Sequence, residues 1–473
     1  MRIEDWGFAR GPQNELMIGA ASAVGLAERF GTPLHVVDED RLREHARTLR
    51  LVFEQQYPEV QLFYALKCNS VSEVVRAIFD EGFGADVMSE FELWLVRRLG
   101  MPANRIVLNG PNKNDRLLRQ AVELGIGAVV VDSLAELARL ETVATECRTE
   151  VEILLRVNPD FVPSGMSGVS DEGSRKRSVF GLDLKTGEHL LAFKTLRLSR
   201  FLRYAGLHAH IGSGIRHPEE YTRAFRRIAP AFLQARQAGL ETRIFDFGGG
   251  FGVPTSKEFN TLELLAYQGW GRLPQLESAP LAFAPHICVP IREFFNQRGL
   301  RLPTLYLEPG RAVATSAQVL LLTVGVVKSR QGAGKWVITD GGAGTCAFPL
   351  YYEYHEVVLA SDIAATPVER VSMVGPAFSA HWIYRNKKMP ALKPGDVLAV
   401  MDSGAYFLAL EANFGFPRTA VVMVSNGQAR LVRRRETFEE MASRDLPVRA
   451  RSITTTHRCE DVCQRGENEK SHS

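Results

Sequence analysis

The sequence predicts an α/β fold: a closed (β/α)8 barrel of the TIM type, followed by a second, mostly β domain. Between residues 61 and 308, eight apolar runs typical of strands alternate with helical patterns, and a closed parallel barrel requires eight strand-helix units. After residue 311 the runs remain β-type, but regular helical patterns no longer separate them. The length of 473 residues allows two hydrophobic cores. A barrel therefore fits better than a doubly wound open sheet, which usually has about five or six strands.

The barrel strands are predicted from short apolar runs. These runs lie at residues 61–66, 84–89, 106–110, 127–132, 151–157, 204–212, 243–248 and 304–308. Helical periodicity follows most of them. Ser70 and Glu73 have the spacing of a capping box after the first run, and Ser133 and Glu136 repeat that spacing after the fourth. Ahead of the barrel, residues 32–38 predict a short strand and residues 39–56 a helix.

The second domain is predicted from β-type runs at 319–327, 336–339, 368–374 and 397–401. Runs at 421–424 and 429–432 flank an Asn426-Gly427 turn, a strong hairpin signal. We predict that residues 1–45 join this β domain, that 46–311 form the barrel, and that 312–440 form the β domain itself. Residues 441–473 are a polar tail, and we expect its end, residues 464–473, to be disordered.

Composition excludes several classes of partner. With 57 basic and 54 acidic side chains, the net charge of +3 gives no reason to expect nucleic acid or an anionic membrane. The first residues lack the apolar core of a signal peptide, and no run is long enough for a membrane span, so we expect a cytoplasmic protein. Six scattered cysteines fit a reducing compartment. His457, Cys459 and Cys463 precede the end of the tail without a second ligand cluster, so no metal site is predicted.

Lys67 is the first candidate for chemistry, because it follows the apolar strand 61–66 directly. An amine in a partly desolvated pocket loses proton affinity, so we expect a nucleophile toward aldehydes. The alternative is a solvated or ion-paired lysine at a strand end.

Two further candidate segments end the strands at 204–212 and 243–248. In the first, His208 and His210 alternate along the strand and point the same way, while Ser213 and nearby glycines can approach an anion. In the second, Gly249 and Gly250 belong to a glycine run whose backbone N–H groups suit a phosphate. The alternatives are packed histidines and a plain tight turn.

The last two candidates are Glu308 with Arg311, after the eighth strand, and Tyr406 in the β domain. Arg311 offers a forked phosphate contact and Glu308 offers a carboxylate to the barrel mouth. An ion pair that only closes the turn is the alternative for the first two, and a packed tyrosine for the third.

Together these motifs, from about residue 30 to 435, resemble the fold type III pyridoxal-phosphate decarboxylases, which include diaminopimelate, ornithine and some arginine decarboxylases. The resemblance implies an alanine racemase-like fold, pyridoxal 5'-phosphate as cofactor, an amino-acid substrate and a homodimer with shared sites. It implies that Lys67 is the Schiff-base lysine, His210 stacks on the cofactor ring and Glu308 faces the pyridine nitrogen. Contacts on the phosphate side are implied for Ser213, Gly249, Gly250, Arg311 and Tyr406.

The Glu308 assignment favours decarboxylation. A carboxylate keeps the pyridine nitrogen protonated, so the ring can accept the electrons left when carbon dioxide departs. In the alanine racemases of this fold an arginine occupies that position, so Glu308 disfavours racemisation.

Two departures from the family bear on the substrate. The diaminopimelate enzymes place Cys-Glu-Ser after a Gly-Pro pair, whereas this chain has Ala377-Phe378-Ser379 and then His381. They also have Arg-Pro where this chain has Phe348-Pro349. We therefore expect a substrate other than meso-diaminopimelate, an amino acid or conjugate, with His381 or Cys346 supplying the proton.

Four alternatives remain. The chain is diaminopimelate decarboxylase itself, or it binds the cofactor with little turnover. Outside this class, it is a non-catalytic cofactor carrier or an unrelated phosphate-binding barrel enzyme. The β domain weighs against the carrier, and a colourless, cofactor-free preparation would support the unrelated barrel.

Overall fold

The structure is a computed structural model that describes residues 3–164, 178–270, 272, 274, 276, 282–377 and 381–446. Residues 436–446 belong to a separate unit, in which the helix Phe438–Met441 begins with a capping box between Thr437 and Glu440. The predicted disorder of residues 464–473 lies outside the described residues, as do His457, Cys459 and Cys463. Among the described residues, no helix combines the length and apolar character needed to cross a membrane.

The N-terminal segment forms a small antiparallel sheet and then enters the main sheet of the β domain. Its elements are β1 (Ala9–Arg10), β2 (Leu16–Ile18), β3 (Ala21–Ser22), α1 (Ala23–Phe30), β4 (Leu34–Asp38) and α2 (Glu39–Glu54). Two caps explain where the helices begin. The side chain of Ser22 accepts a hydrogen bond from the backbone of Gly25, and that of Asp38 accepts one from Arg41.

Eight parallel strands close the barrel, as the sequence predicts. The strands of residues 60–307 are β5 (Val60–Ala65), β6 (Gly84–Val87), β7 (Ile106–Leu108), β8 (Ala128–Val131), β9 (Val151–Asn158), the short β10 (Leu182–Asp183), β11 (Leu202–His208), β12 (Ile244–Asp246), the short β13 (Lys257–Glu258) and β14 (Thr304–Leu307). The order is β9-β11-β12-β14-β5-β6-β7-β8, and pairing of β8 with β9 completes the ring. The C-terminal ends of all eight strands therefore meet at one face.

Helices cover the outside of the barrel and bury apolar stripes against it. The helices of this region are α3 (Ser72–Asp80), α4 (Glu90–Arg98), α5 (Asp115–Leu124), α6 (Leu134–Cys147), α7 (Glu188–Leu198), α8 (Glu219–Gln237), α9 (Thr261–Trp270), α10 (Phe283–Gln297) and α11 (Arg311–Ala314). Of these, α9 packs instead on the core of the β domain, through Leu264 and Tyr267. Half of the predicted capping box of α6 is confirmed: Ser133 caps the helix, whereas the Glu136 side chain pairs with Lys113. The predicted capping box of Ser70 and Glu73 is wrong, because Val71 occupies the N-cap and its own N–H donates to Asn69 Oδ1 at 3.2 Å.

The β domain is built on a nine-stranded mixed sheet that includes β4. Its other strands are β15 (Gln318–Arg330), β16 (Gly334–Thr339), β18 (Val357–Leu359), β19 (Glu369–Val374), β20 (Trp382–Met389), β21 (Val397–Val400), β22 (Ala420–Ser425) and β23 (Gln428–Arg433), while β17 (Glu353–Tyr354) pairs with β13. The predicted hairpin joins β22 to β23, and both Asn426 and Gly427 have the positive φ that a type I′ turn requires. The domain boundaries at residues 45, 311 and 440 stay predictions.

Candidate active site

Polar side chains gather where the barrel strands end at the C-terminal face. Lys67 lies two residues beyond β5, and its Nζ is 3.0 Å from Asp86 Oδ2, next to β6. The Lys67 side chain remains 34% exposed, so a ligand has access to the amine. The site is therefore open at the lysine and lined by a carboxylate.

The charge of Lys67 differs from the sequence-based expectation. Burial lowers the pKa of Lys67, but the neighbouring carboxylates of Asp86 and Glu308 raise it more, so the net pKa lies above its ordinary value. The expected loss of proton affinity is wrong for the free amine, because two anions from other strands outweigh desolvation.

Glu308 lies in the same pocket as Lys67 and is held there as an anion. Its Oε1 accepts a hydrogen bond from Asn109 Nδ2 at 2.6 Å, and its Oε2 is 3.3 Å from His208 Nε2. Asn109 also donates to Asp86 Oδ1 at 2.7 Å, so Lys67 and Glu308 are linked through only two side chains. Burial raises the pKa of Glu308, but the combined effect of His208 and Lys67 is larger and lowers it. The net pKa of Glu308 therefore lies below its ordinary value.

The second side of the site centres on Arg311. Its Nε donates to Ser213 Oγ at 3.0 Å, and its guanidinium lies 4.6 Å from the centre of the Tyr406 ring. The sequence-based alternative of an ion pair between Arg311 and Glu308 does not describe this arrangement, because the guanidinium pairs with Glu353.

The glycine loop closes tightly against this side. A Cβ at Gly249 would lie 2.0 Å from the Glu308 carbonyl oxygen, and one at Gly250, where φ is +87°, would lie 2.0 Å from the Gly212 carbonyl oxygen. Only glycine therefore fits at both positions. The backbone at Gly249 and Gly250 therefore packs directly against the carbonyl groups of Glu308 and Gly212.

Glu353 is a site residue that the sequence did not reveal. It lies on β17 in the β domain, is 2% exposed, and places its other oxygen, Oε2, 3.1 Å from His355 Nε2. Burial raises the pKa of Glu353, but the positive charge of Arg311 and the bond from His355 lower it to about 2. The β domain thus supplies the carboxylate that fixes the Arg311 guanidinium.

Replacing Glu353 with glutamine is expected to destabilise the cofactor-free protein by about 3 kcal/mol at neutral pH. This free energy corresponds to the lowering of the Glu353 pKa from 4.5 to about 2 on folding. A carboxyl group whose pKa is lower in the folded than in the unfolded protein stabilises the fold at pH values above its unfolded-state pKa. The difference between the variant and the wild type should therefore shrink as pH falls from about 4.5 toward 2. Urea unfolding of both proteins across this range measures it.

The matched control for this prediction is Glu150→Gln, the same change in the exposed ion pair between Glu150 and Arg203. Exposed pairs contribute about 0 to 1 kcal/mol, so this variant should unfold like the wild type. Equal effects of the two substitutions would contradict the role assigned to the buried pair.

Two of the three candidate histidines, His210 and His381, lie in different places. His210 Nδ1 accepts a hydrogen bond from the Gly249 N–H at 3.4 Å, and burial with nearby cations lowers its pKa to about 3, so the ring is neutral. His381 lies in the β domain, where its ring centroid is 5.4 Å from that of Phe414 and burial lowers its pKa. Cys346 also lies there, and burial raises its thiol pKa to about 12. The proton-donor role of His381 or Cys346 stays a prediction.

Several buried polar residues at the barrel mouth were missed from the sequence. They are Asp86, Asn109, Arg156 and Asp246. Arg156 is 7% exposed, lies 3.6 Å from Asp132 Oδ1 and packs 4.2 Å from the centre of the Phe180 ring. The available signal was a polar residue at or near the end of each apolar strand run.

Comparisons with known proteins agree with this geometry. Residues 40–315 match the family model described as pyridoxal-dependent decarboxylase, pyridoxal binding domain. The chain is 32% identical to a diaminopimelate decarboxylase of Bacillus subtilis over 445 residues, which cover 92% of this chain and 96% of the relative. A relative of the same description from Methanothermobacter thermautotrophicus is 32% identical over 444 residues, 92% of this chain and 97% of the relative.

Solved structures give the same result. The crystal structure of diaminopimelate decarboxylase from M. jannaschii in complex with L-lysine has a TM-score of 0.80 and 26% identity, covering 93% of this chain and 98% of that one. The lysine/ornithine decarboxylase of Vibrio vulnificus in complex with putrescine has a TM-score of 0.66 and 25% identity, covering 85% and 97%.

Proposed function

The chain belongs to the family of pyridoxal-dependent decarboxylases, and from this premise we propose that diaminopimelate is its substrate. It is a pyridoxal-phosphate-dependent amino-acid decarboxylase. The observation that supports the substrate proposal is 32% identity, over 92% of the chain, to relatives described as diaminopimelate decarboxylases. These relatives favour diaminopimelate over the different substrate expected from the sequence motifs. The homodimer and the cytoplasmic location stay predictions.

The residues present fit the cofactor. Lys67 offers an accessible amine for the aldehyde, and Glu308 offers a buried anion for the ring nitrogen. Arg311, held by Ser213 and Glu353, offers a cation for the phosphate, and a glycine loop that carries no side chains at Gly249 and Gly250 follows the neighbouring strand. When bound, pyridoxal phosphate supplies an electron sink for the carbon that loses its carboxylate.

The protein's own groups have distinct tasks in this proposal. Glu308, fixed by Asn109 and His208, would stabilise positive charge on the ring nitrogen. His210, which is neutral, would pack against the ring without adding a charge. Arg311, fixed by Glu353 and Ser213, would neutralise the phosphate. The bond to the carboxylate breaks, its electrons stay on the substrate carbon, and a proton from an acid group replaces the lost carbon dioxide.

A second candidate is an amino acid with a less polar distal end. The observation that favours it is Phe348, which is 41% exposed and packs 5.3 Å from the Tyr351 ring and 6.1 Å from the Tyr352 ring. This aromatic cluster lies where the resemblance implies an arginine for a distal carboxylate. Part of the divergent segment, residues 378–380, lies outside the described residues.

An amino-acid panel separates the candidates. We expect the purified holoenzyme to release carbon dioxide faster from meso-diaminopimelate than from lysine, ornithine or leucine, as measured with each amino acid at equal concentration. Faster release from leucine would favour the second candidate. No release from any amino acid, with the cofactor bound, would indicate a binding protein with little turnover.

Phe348→Arg sharpens this experiment, because it restores a cation where the family has one. If a less polar amino acid is the natural substrate, the variant should gain activity toward diaminopimelate and lose activity toward the less polar amino acid. The matched control is Leu198→Arg, which adds the same charge at an 80% exposed position at the end of α7. An equal shift in both variants would rule out a specific effect of Phe348.

A further inference from the structure

Asp246 lies in the pocket of Glu308 without a role in the function described above. It is the last residue of β12, is fully buried, and pairs in register with His208 on β11. One side-chain atom each of His208, Asp246 and Glu308 lie within 4.8 Å of one another. Two carboxyl groups and one imidazole thus share the buried part of the pocket.

Hydrogen bonds distinguish the two carboxyl groups. Both oxygens of Glu308 have polar neighbours, since Asn109 donates to one and His208 lies beside the other. Asp246 Oδ1 accepts a bond from the Gly248 N–H at 2.8 Å. Its Oδ2 is buried and accepts no hydrogen bond from a donor within the described residues. The group at hydrogen-bond distance from the Asp246 carboxyl is instead a second carboxyl, that of Glu308. An ionised oxygen in that position would carry an uncompensated buried charge, which is costly.

Two carboxylates this close in a buried pocket cannot both be ionised at neutral pH. The charged groups around them decide which one keeps the proton. Lys67, His208 and Asn109 favour the anion at Glu308. Asp246 instead faces the negative charges of Glu308 and Asp86, with Tyr306 on the adjacent strand and Arg156 as its cation. Burial and the charge of Glu308 raise the pKa of Asp246 well above its ordinary value.

We propose that Asp246 is a positioning residue that stays protonated at neutral pH and directs its O–H toward the Glu308 carboxylate. Glu308 is then a single, oriented anion, without a second negative charge beside it. Asp246 acts through Glu308, so the inference rests on the role proposed above for Glu308. Because a protonated Asp246 carries no charge, Glu308 would be the one carboxylate that faces the ring nitrogen, with a fixed charge.

Infrared spectroscopy of the cofactor-free protein tests the proton directly. At neutral pH in D2O, the wild type should show the carbonyl stretch of a protonated carboxylic acid, and Asp246→Asn should lose it. Glu92 is a second buried carboxyl group, whose pKa burial raises to about 7. Glu92→Gln therefore serves as the control and should leave the Asp246 band in place. Identical spectra of wild type and Asp246→Asn would overturn the proposal.

Kinetics of the holoenzyme test the consequence. The uncharged side chain of asparagine can still donate a hydrogen bond to Glu308. Asp246→Asn should therefore retain a kcat close to that of the wild type. Asp246→Leu has the bulk without the donor, and its kcat should fall by at least ~10-fold with little change in KM. Equal losses in both variants would mean that an ionised Asp246 is required, and would overturn the proposal.

The two measurements separate this proposal from the ones before it. If Asp246→Leu fails to fold, the infrared comparison of wild type and Asp246→Asn still decides the protonation state. A wrong substrate assignment would change the amino-acid panel and leave the infrared band unchanged. A wrong role for Glu308 would show as normal kcat in Glu308→Gln, whatever Asp246 does.

Discussion

Replacing Lys67 with alanine is expected to abolish covalent attachment of the cofactor and to lower kcat by at least ~10³-fold, a typical loss for a group that covalent catalysis requires. Lys67 lies at the C-terminal end of a barrel strand and is 34% exposed. Its carboxylate neighbours, Asp86 and Glu308, favour a positively charged nitrogen. These contacts place the amine in the pocket that also holds the Glu308 anion.

The measurement is borohydride reduction of the holoprotein followed by peptide mass mapping. The wild type should carry the reduced cofactor on the peptide that contains Lys67, and its visible absorbance should be lost on reduction. Lys67→Arg is the matched control, because it keeps the charge beside Asp86 but provides no primary amine. It should fold like the wild type and still fail to retain the cofactor covalently. A Lys67→Ala protein that still traps the cofactor would refute the assignment.

The barrel was predictable because its signal is local. Each strand is a short apolar run, and buried parallel strands are apolar on both faces, so eight runs could be counted in the sequence. The strand β20 (Trp382–Met389) was missed because Arg385, Lys387 and Lys388 interrupt any apolar run. Its pairing with β19 also contains register irregularities, which no alternation pattern reveals.

The site was predictable only in part. Lys67 and Glu308 stand out, because each is a charged residue directly beyond an apolar strand. Glu353 is hidden, because its partner Arg311 is 42 residues away and comes close only when the β domain packs on the barrel. The direction of the Lys67 pKa shift was missed for the same reason. It depends on charges from two other strands, and local burial alone predicts the opposite sign.

Replacing Glu308 with glutamine is the second large expected effect. We expect kcat to fall by ~10² to 10³-fold, the size typical of removing one preorganised electrostatic contact from an active site. The amide keeps the shape and an acceptor for Asn109, but it no longer stabilises positive charge at the ring nitrogen. Lys67 and Arg311 are unchanged, so cofactor attachment and KM should change little. Steady-state kinetics with saturating cofactor, beside the borohydride assay, measure both expectations.

The comparison that isolates this effect is Glu353→Gln, the same substitution at the other buried glutamate of the site. Glu353 touches Arg311 and His355, at the phosphate end, whereas Glu308 touches Asn109 and His208, at the ring end. Loss of the Glu353 charge should weaken cofactor binding and lower stability while leaving kcat at saturating cofactor near the wild-type value. If the two variants instead lost kcat equally, Glu308 would act only through general stability of the site, and its assignment to the ring nitrogen would fail.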